Sequence, residues 1–264
     1  MERARLLDPR PEAEAKLHPI AWGANIPWDE LSTRQHELPP SRRAGQIEVA
    51  NVGEAAARAI EALSAIGRVG TAVDHWDWAP PGSEECFRLW EPNPFLEERL
   101  RAHETTAMER GRAIDLACGT GRNAVYLASL GWHVTAIDHL EDALARARDL
   151  ERRYLTGAPP IDWVRHDLEA SSPVQSGFDL IACLFFLHRP LLEWAVTALN
   201  PGGSLVVETF TLAHREYFGK PKRESLVLAP GELPMLIGNL RIETSEEGWH
   251  EGRHTARLPA RCFT

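Results

Sequence analysis

From Ala113 onward the chain alternates short apolar runs with segments whose apolar residues recur at helical spacing. Ala113–Ala117, His133–Ile137, Ile161–Arg165, Phe178–Leu184 and Gly203–Phe210 predict strands, the last one following the turn "NPGG". Between them, Asn123–Leu130, Asp142–Arg152 and Leu191–Leu199 predict helices; in the second of these, Ala143, Leu144, Ala147 and Leu150 fall on one face. Strand–helix alternation at these lengths argues for an α/β fold, a parallel sheet with helices on both faces. The end of the chain breaks the pattern. "LRIETSEEGWHEGRHTARLPARCF" holds two strand-like runs around a glycine-containing turn and no long helix, which predicts an antiparallel pair closing the sheet edge.

Upstream, "TAVDHWDWAPPGS" (Thr71 to Ser83) loses all periodicity and ends in Pro-Pro-Gly, the mark of a boundary. It divides a domain at 1–75 from a larger one at 85–264, with 76–84 as linker. A chain of 264 residues suffices for two domains with unequal cores. The formal net charge of −9, without any Lys/Arg block, argues against nucleic acid as partner. Cys86, Cys118, Cys183 and Cys262 are far apart and form no Cys-x-x-Cys, so neither a metal site nor a disulfide framework is expected. There is no apolar leader and no apolar run of membrane length, so no membrane partner is expected and the cytoplasm is the expected compartment.

The chemistry concentrates in "DLACGTGR" (Asp115 to Arg122), a glycine pair between a predicted strand and a predicted helix. There a backbone passes close to a ligand and helix N–H groups point outward. No Gly-Lys-Ser/Thr follows, which excludes a phosphate P-loop. A dinucleotide remains open: Gly119-x-Gly121-x-x-Ala124 fits the loose fingerprint, and Asp138 ends the next strand, where a ribose-binding acid belongs. Asp115 tips the balance. A carboxylate beside a pyrophosphate repels it, whereas beside the ammonium of a methionyl group it attracts, which favours S-adenosylmethionine over NAD. The plainer alternative is that Asp115 caps the local loop.

"AIDLACGTGRNAVYLASLGWHVTAID" resembles the first two motifs of class I S-adenosylmethionine-dependent methyltransferases. "VRHDLE", "FDLIACLFFLH" and "LNPGGSLVVETF" resemble their third, fourth and fifth strands, and "GRNAVYLA" is similar to the tellurite-resistance and thiopurine-type branch. The resemblance runs from about Phe87 to the C-terminus. It implies a Rossmann-like sheet of seven strands, mostly parallel with an antiparallel terminal hairpin. It also implies S-adenosylmethionine as cofactor and a small-molecule acceptor with a soft (sulfur, selenium or tellurium) nucleophile. Carried over, Gly119 and Gly121 form the cofactor turn, Asp115 faces the methionyl amine, and Asp138 takes both ribose hydroxyls, since a carboxylate offers two acceptors to a vicinal diol. His139 and Leu140 would flank the adenine. Asp167 with Leu168 would meet its amino group, or Asp167 would cap a helix after strand three. Cys183, Leu184 and Phe185 would line the methyl-transfer channel, although Phe185 and Phe186 also suit a core.

Methyl transfer from a sulfonium is an in-line displacement that needs positioning more than covalent help. Five further residues are candidates. In "FRLWEPNPFL", Arg88 would meet the methionyl carboxylate and Trp90 would cover the sulfonium, or simply pack. His188 follows the fourth strand as a candidate base or a loop-exposed residue. In "HREYFGKP", Tyr217 and Phe218 occupy a usual substrate-loop position. His250, Arg253 and His254 bear a loose likeness to basic residues of the tellurite-type enzymes.

"LLDPRPEAEAKLHPIAWGANIPWDEL" resembles the start of a rhodanese-like domain, through Asp8, Arg10, His18, Gly23, Asn25, Ile26 and Pro27. Ala55, Ala59, Ile60, Leu63 and Ile66 predict one apolar helix stripe. The departure is chemical. The loop after "IEV" reads "ANVGEAA", without the cysteine thiolate that carries a persulfide in active rhodaneses. The module is expected to be degenerate and non-catalytic, or else an extension of the methyltransferase. Two rival functions stay open: an S-adenosylmethionine-binding sensor or scaffold without turnover, and a nicotinamide-dependent oxidoreductase, which lacks a Tyr-x-x-x-Lys dyad here. The oligomeric state is not legible.

Overall fold

The computed structural model describes residues 2–4, 6–41, 45–80, 83, 87–103 and 110–263. The chain divides into two units, 1–91 and 92–264.

The first unit contains β1 (Glu2–Arg3), β2 (Leu6–Asp8), α1 (Glu12–Leu17), β3 (Gly23–Asn25), β4 (Gln46–Ala50), α2 (Glu54–Ala65), β5 (Val69–Val73) and β6 (Phe87–Arg88). Four strands make a parallel sheet in the order β3-β2-β4-β5. Leu7, Ile26, Leu31, Leu38 and Val49 are buried with the inner face of α2. That face is Ala56, Ala59 and Leu63. Ala55, Ile60 and Ile66 of the expected stripe flank it, half-buried, because they stand some 50–70° off its centre at 100° per residue. The boundary lies further along than 76–84. Ala21 N–H donates to the Asp77 carbonyl (2.9 Å), Ala79 N–H donates to the Pro19 carbonyl (2.8 Å), and β6 pairs in parallel with β1. These bonds keep the chain up to Glu91 in the first unit. Pro81, Gly82 and Cys86 lie outside the described residues.

The second unit contains α3 (Pro94–His103), β7 (Arg112–Leu116), α4 (Arg122–Ser129), β8 (His133–Asp138), α5 (Glu141–Tyr154), β9 (Asp162–Arg165), β10 (Phe178–Leu184), α6 (Arg189–Ala198), β11 (Leu199–Phe210), α7 (Leu212–Phe218), α8 (Leu233–Leu236), β12 (Arg241–Ile242), β13 (Glu246–His250) and β14 (Arg253–Arg261). The sheet has eight strands, in the order β12-β14-β11-β10-β7-β8-β9, with β13 pairing onto β14. One strand more than expected arises because β14 is nine residues long and receives two antiparallel partners besides β11. It therefore lies inside the sheet instead of closing its edge. The other expected strands and helices form within one to four residues of their expected ends. The helix α5 buries Leu144, Ala147 and Leu150, as its periodicity requires. Chain order runs outward from β7 through β8 to β9, then resumes at β10 on the other side of β7. That reversal opens a crevice beyond the carboxyl ends of β7 and β10, the place where open α/β sheets receive ligands. This is the expected Rossmann-like α/β architecture, mostly parallel with an antiparallel part.

Candidate active site

The strand β7 delivers Asp115 and Leu116 to the carboxyl edge, and the backbone then turns sharply. Ala117 (φ 57°), Gly119 (φ 56°) and Gly121 (φ 77°) all adopt the left-handed conformation. Cys118 N–H donates to the Ile137 carbonyl (2.9 Å), tying the turn to the end of β8. The two glycines serve different ends. A Cβ on Gly119 would meet nothing within 4 Å, so the space above it is open to a ligand. A Cβ on Gly121 would come within 2.6 Å of the Trp163 ring and 2.7 Å of the Ala147 Cβ, so this glycine lets β9 and α5 close on the turn.

Two carboxylates face this turn. Asp138 accepts the Gly119 N–H on Oδ2 and the Leu140 N–H on Oδ1, both at 2.9 Å, and His139 Nδ1 stands 3.6 Å from Oδ1. Each oxygen keeps a free lone pair. Asp115 is 1 % exposed, and apart from the backbone N–H of Ala124 its oxygens have no hydrogen-bonding partner among the described residues. Burial pushes its carboxyl up to about 7; a backbone hydrogen bond from the Ala124 N–H opposes the shift and the charge of Asp138 adds to it. A buried carboxylate with so little to offset its charge is costly to retain and marks a place where a cation belongs.

Beside the turn lies a cavity of about 290 Å³. Ala117, Asp138 and His139 line one part; His166, Asp167, Leu168 and Glu169 follow from the segment after β9. Phe185, Phe186, Leu187 and Phe210 form an aromatic wall, completed by Pro221, Arg223 and Leu226. Phe185 has φ 59°, a strained conformation for a bulky residue, held by its N–H on the Glu208 carbonyl (2.6 Å) and by the Arg253 guanidinium 4.5 Å over its ring. Asp167 is exposed, and its Oδ1 accepts the Glu169 N–H (2.9 Å) in a turn; no helix follows, so the capping alternative is not realised.

The structure brings Asp115, Gly119, Gly121, Asp138, His139, Asp167 and Leu168 together. Other expected residues fall elsewhere. Cys183 is fully buried in the core of the sheet, its thiol bonded to the Phe186 carbonyl and pushed up to about 12 by burial and then by Asp115; Leu184 is buried beside it. Cys183 still lies within β10, paired with Leu116 and Val207, and the cavity wall starts at Phe185, beyond the end of the strand. His188 occupies the N-cap position of α6 and is not among the cavity-lining residues. Tyr217 is 73 % exposed, with its ring against Phe218 and Trp249. Arg88 and Trp90 belong to the first unit and are both buried: the Arg88 guanidinium donates to the Trp90 carbonyl (2.5 Å) and lies 4.8 Å over its ring. That contact joins the two residues expected on the methionyl end to each other. Leu140 is exposed and outside the lining.

The comparisons with known proteins converge on this sheet. Residues 113–203 match the family described as "Methyltransferase domain". The chain is 30% identical over 167 residues to the ribosomal RNA small subunit methyltransferase C of Alcanivorax borkumensis, covering 59% of this chain and 48% of that protein. It is 32% identical over 81 residues to a probable S-adenosyl-L-methionine-dependent methyltransferase, TehB, of Haemophilus influenzae, covering 30% and 27%. The chain thus spans less than half the length of either relative. The crystal structure of TehB from Haemophilus influenzae superposes with a TM-score of 0.53 at 18% identity, covering 72% of this chain and 77% of that one, which shows a shared fold.

Residues 113–203 of this chain carry a methyltransferase domain.

The methyltransferase domain fits its cofactor on its own evidence: a buried carboxylate with little but one backbone N–H to meet it, ready for an ammonium, open space over Gly119, and two spare acceptors on Asp138 for a diol. Sequence reasoning passed over His166, Arg223 and Leu226. His166 stands in the quoted "VRHDLE", directly after a strand, and that position was the available signal. Arg223 and Leu226 arrive from a long loop after α7, with no local pattern to announce them.

Proposed function

We propose that this protein moves the methyl group of S-adenosylmethionine to a small-molecule acceptor with a soft nucleophile. The observation that carries this is the pair of carboxylates at the glycine turn, one buried with no partner beyond a backbone N–H and one with spare acceptors at the end of the next strand. When bound, the cofactor supplies a methyl group on a positively charged sulfur. Asp115 holds the ammonium of the methionyl end, Asp138 the ribose hydroxyls, and His139, Asp167 and Leu168 surround the base. Phe185, Phe186 and Phe210 exclude water from the acceptor's side of the cavity. The aromatic wall supports a soft acceptor, because such a nucleophile attacks without a strong general base and gains from a dry site. His188 and Tyr217 keep only a peripheral part, since neither lines the cavity. Asp115 speaks against a nicotinamide dinucleotide, whose pyrophosphate it would repel.

The same proposal makes residues 1–91 a degenerate rhodanese-like module in a cytoplasmic enzyme. Its support is the parallel four-stranded sheet and the buried Asp8–Arg10 pair (2.7 Å), with Asn25 Nδ2 donating to the Asp8 and Arg10 carbonyls. The segment between β4 and α2 is only Asn51, Val52 and Gly53, with no thiol. The test is transfer of labelled methyl from S-adenosylmethionine to a panel of thiols, selenite, tellurite and amines. Transfer to a soft acceptor supports the proposal. Transfer to amines alone removes the soft-nucleophile part, and binding without any transfer favours a sensor or scaffold.

A further inference from the structure

We propose that Arg223 is a positioning residue for the cofactor: paired with Glu169, it fastens the loop 219–227 across the cavity and sets how long the cofactor stays. This rests on the cavity being the cofactor site.

The loop leaves α7 at Gly219, whose φ of 67° ends the helix. It rejoins the sheet edge at Leu228, which bridges to Thr211 and donates its N–H to the Phe210 carbonyl (3.0 Å). The second limb is held from α6, where Arg189 donates to the Ser225 carbonyl (3.0 Å) and the Val227 carbonyl (3.2 Å) and pairs with Glu232. None of these bonds ties the loop to the opposite wall of the cavity. Arg223 does. Its NH1 and NH2 reach Glu169 Oε2 (3.1 Å) and Oε1 (2.6 Å), a two-pronged pair between segments 54 positions apart. Both residues line the cavity, together with Pro221 and Leu226 from the loop and Asp167 and Leu168 from the wall. The pair thus joins the turn expected to meet the adenine to the loop that faces it. Each partner's charge is reinforced by the other: Arg223 holds the Glu169 carboxyl below its ordinary range, and Glu169 raises the Arg223 guanidinium.

An exposed ion pair contributes little to global stability, and double-pronged geometry is the exception that gives it direction. Here it does not need to stabilise the fold; it needs only to bias one loop between closed and open. The pair is solvent-facing (side chains 60 % and 37 % exposed), so salt screens it.

The experiment measures release of S-adenosylhomocysteine by stopped-flow chase from the full-length protein, R223M, R223E, E169R and the exchanged double variant R223E/E169R. Release from R223M is expected to be about threefold faster, and from R223E about tenfold, since two carboxylates then face each other. The exchanged double variant should return close to the original rate. Raising salt from about 50 to 500 mM should speed release from the original protein and leave R223M unchanged. Equal rates in all variants, or a double variant no slower than the single ones, overturns the inference. Failure of the unmodified protein to bind S-adenosylhomocysteine at all overturns the cofactor reading first, and the clasp with it.

Discussion

Asp115→Asn should make the ligand-free protein more stable and the enzyme worse, and the size of both effects follows from burial. The carboxyl is 1 % exposed, has only the Ala124 backbone N–H as donor, and is shifted from the ordinary 3.8 up to about 7. A raised folded-state value means that the folded protein holds this proton more tightly than the unfolded chain. The associated stability is therefore fully present below about pH 4 and is lost as pH rises through about 7. Three units correspond to ~4 kcal/mol at pH 8. Asparagine removes the charge but leaves a buried amide without partners, which costs ~1–3 kcal/mol. The net expectation at pH 8 is a gain of about 1–3 kcal/mol, or a few degrees to about ten in a thermal scan; at pH 5, where Asp115 is neutral, no gain remains. Binding moves the opposite way. S-adenosylhomocysteine should lose ~2–3 kcal/mol of affinity, roughly 30- to 150-fold, because its ammonium loses the carboxylate. 5′-Methylthioadenosine, which lacks the amino-acid end, should bind Asp115→Asn as well as it binds the original protein. Calorimetry with both ligands at pH 8 checks this. If both weaken equally, or if the substitution lowers the melting temperature at pH 8 as much as at pH 5, Asp115 is a structural residue and the electrostatic case against a dinucleotide loses its main support.

Other substitutions probe other parts of the site. Asp138→Ala removes the acceptor of two backbone N–H groups and of the ribose diol, and should weaken both adenosine ligands together by at least ~1.5–3 kcal/mol in the same calorimetric assay. Gly121→Ala drives a methyl group into the Trp163 ring at 2.6 Å from a backbone at φ 77°, and should destabilise by ~1–3 kcal/mol in a denaturant titration, with loss of cofactor affinity as the turn shifts. Residues 1–91 should form no thiocyanate from thiosulfate and cyanide; formation that disappears on mutating a cysteine would contradict the degenerate reading.

The parts of the fold and site legible in the sequence are those written by local rules. The α5 stripe, the apolar strands and the Gly119–Gly121 turn are set by periodicity and by backbone conformations that glycine favours, so they can be read one segment at a time. Asp115 and Asp138 were legible because they stand near and at the end of strands whose partner strand is next in the chain. Arg223 was not, since its meeting with Glu169 depends on a loop that crosses from the far side of the sheet, and no spacing rule reaches over 54 residues. Arg88 and Trp90 show a related limit of pattern reading. They stand just before the first strand of the larger sheet in sequence, yet β6 pairs with β1 near the start of the chain, a contact that hydrophobic pattern does not reveal. The buried Cys183 was a matter of length: β10 runs on to Leu184, so only the residues beyond it, from Phe185, reach the cavity.

Asp138 holds the turn and offers itself to the ligand with the same two oxygens. The loop is therefore braced before any nucleoside arrives, and binding does not have to buy that order. The entropic toll of association should fall on the ligand and on the loop carrying Arg223, while Ala117 to Gly121 keep their shape in both states. Asparagine at 138 would be a poor imitation despite its matching outline: its amide nitrogen would have to confront either the Gly119 or the Leu140 N–H, donor against donor, so the scaffold would fail at the same atom as the recognition.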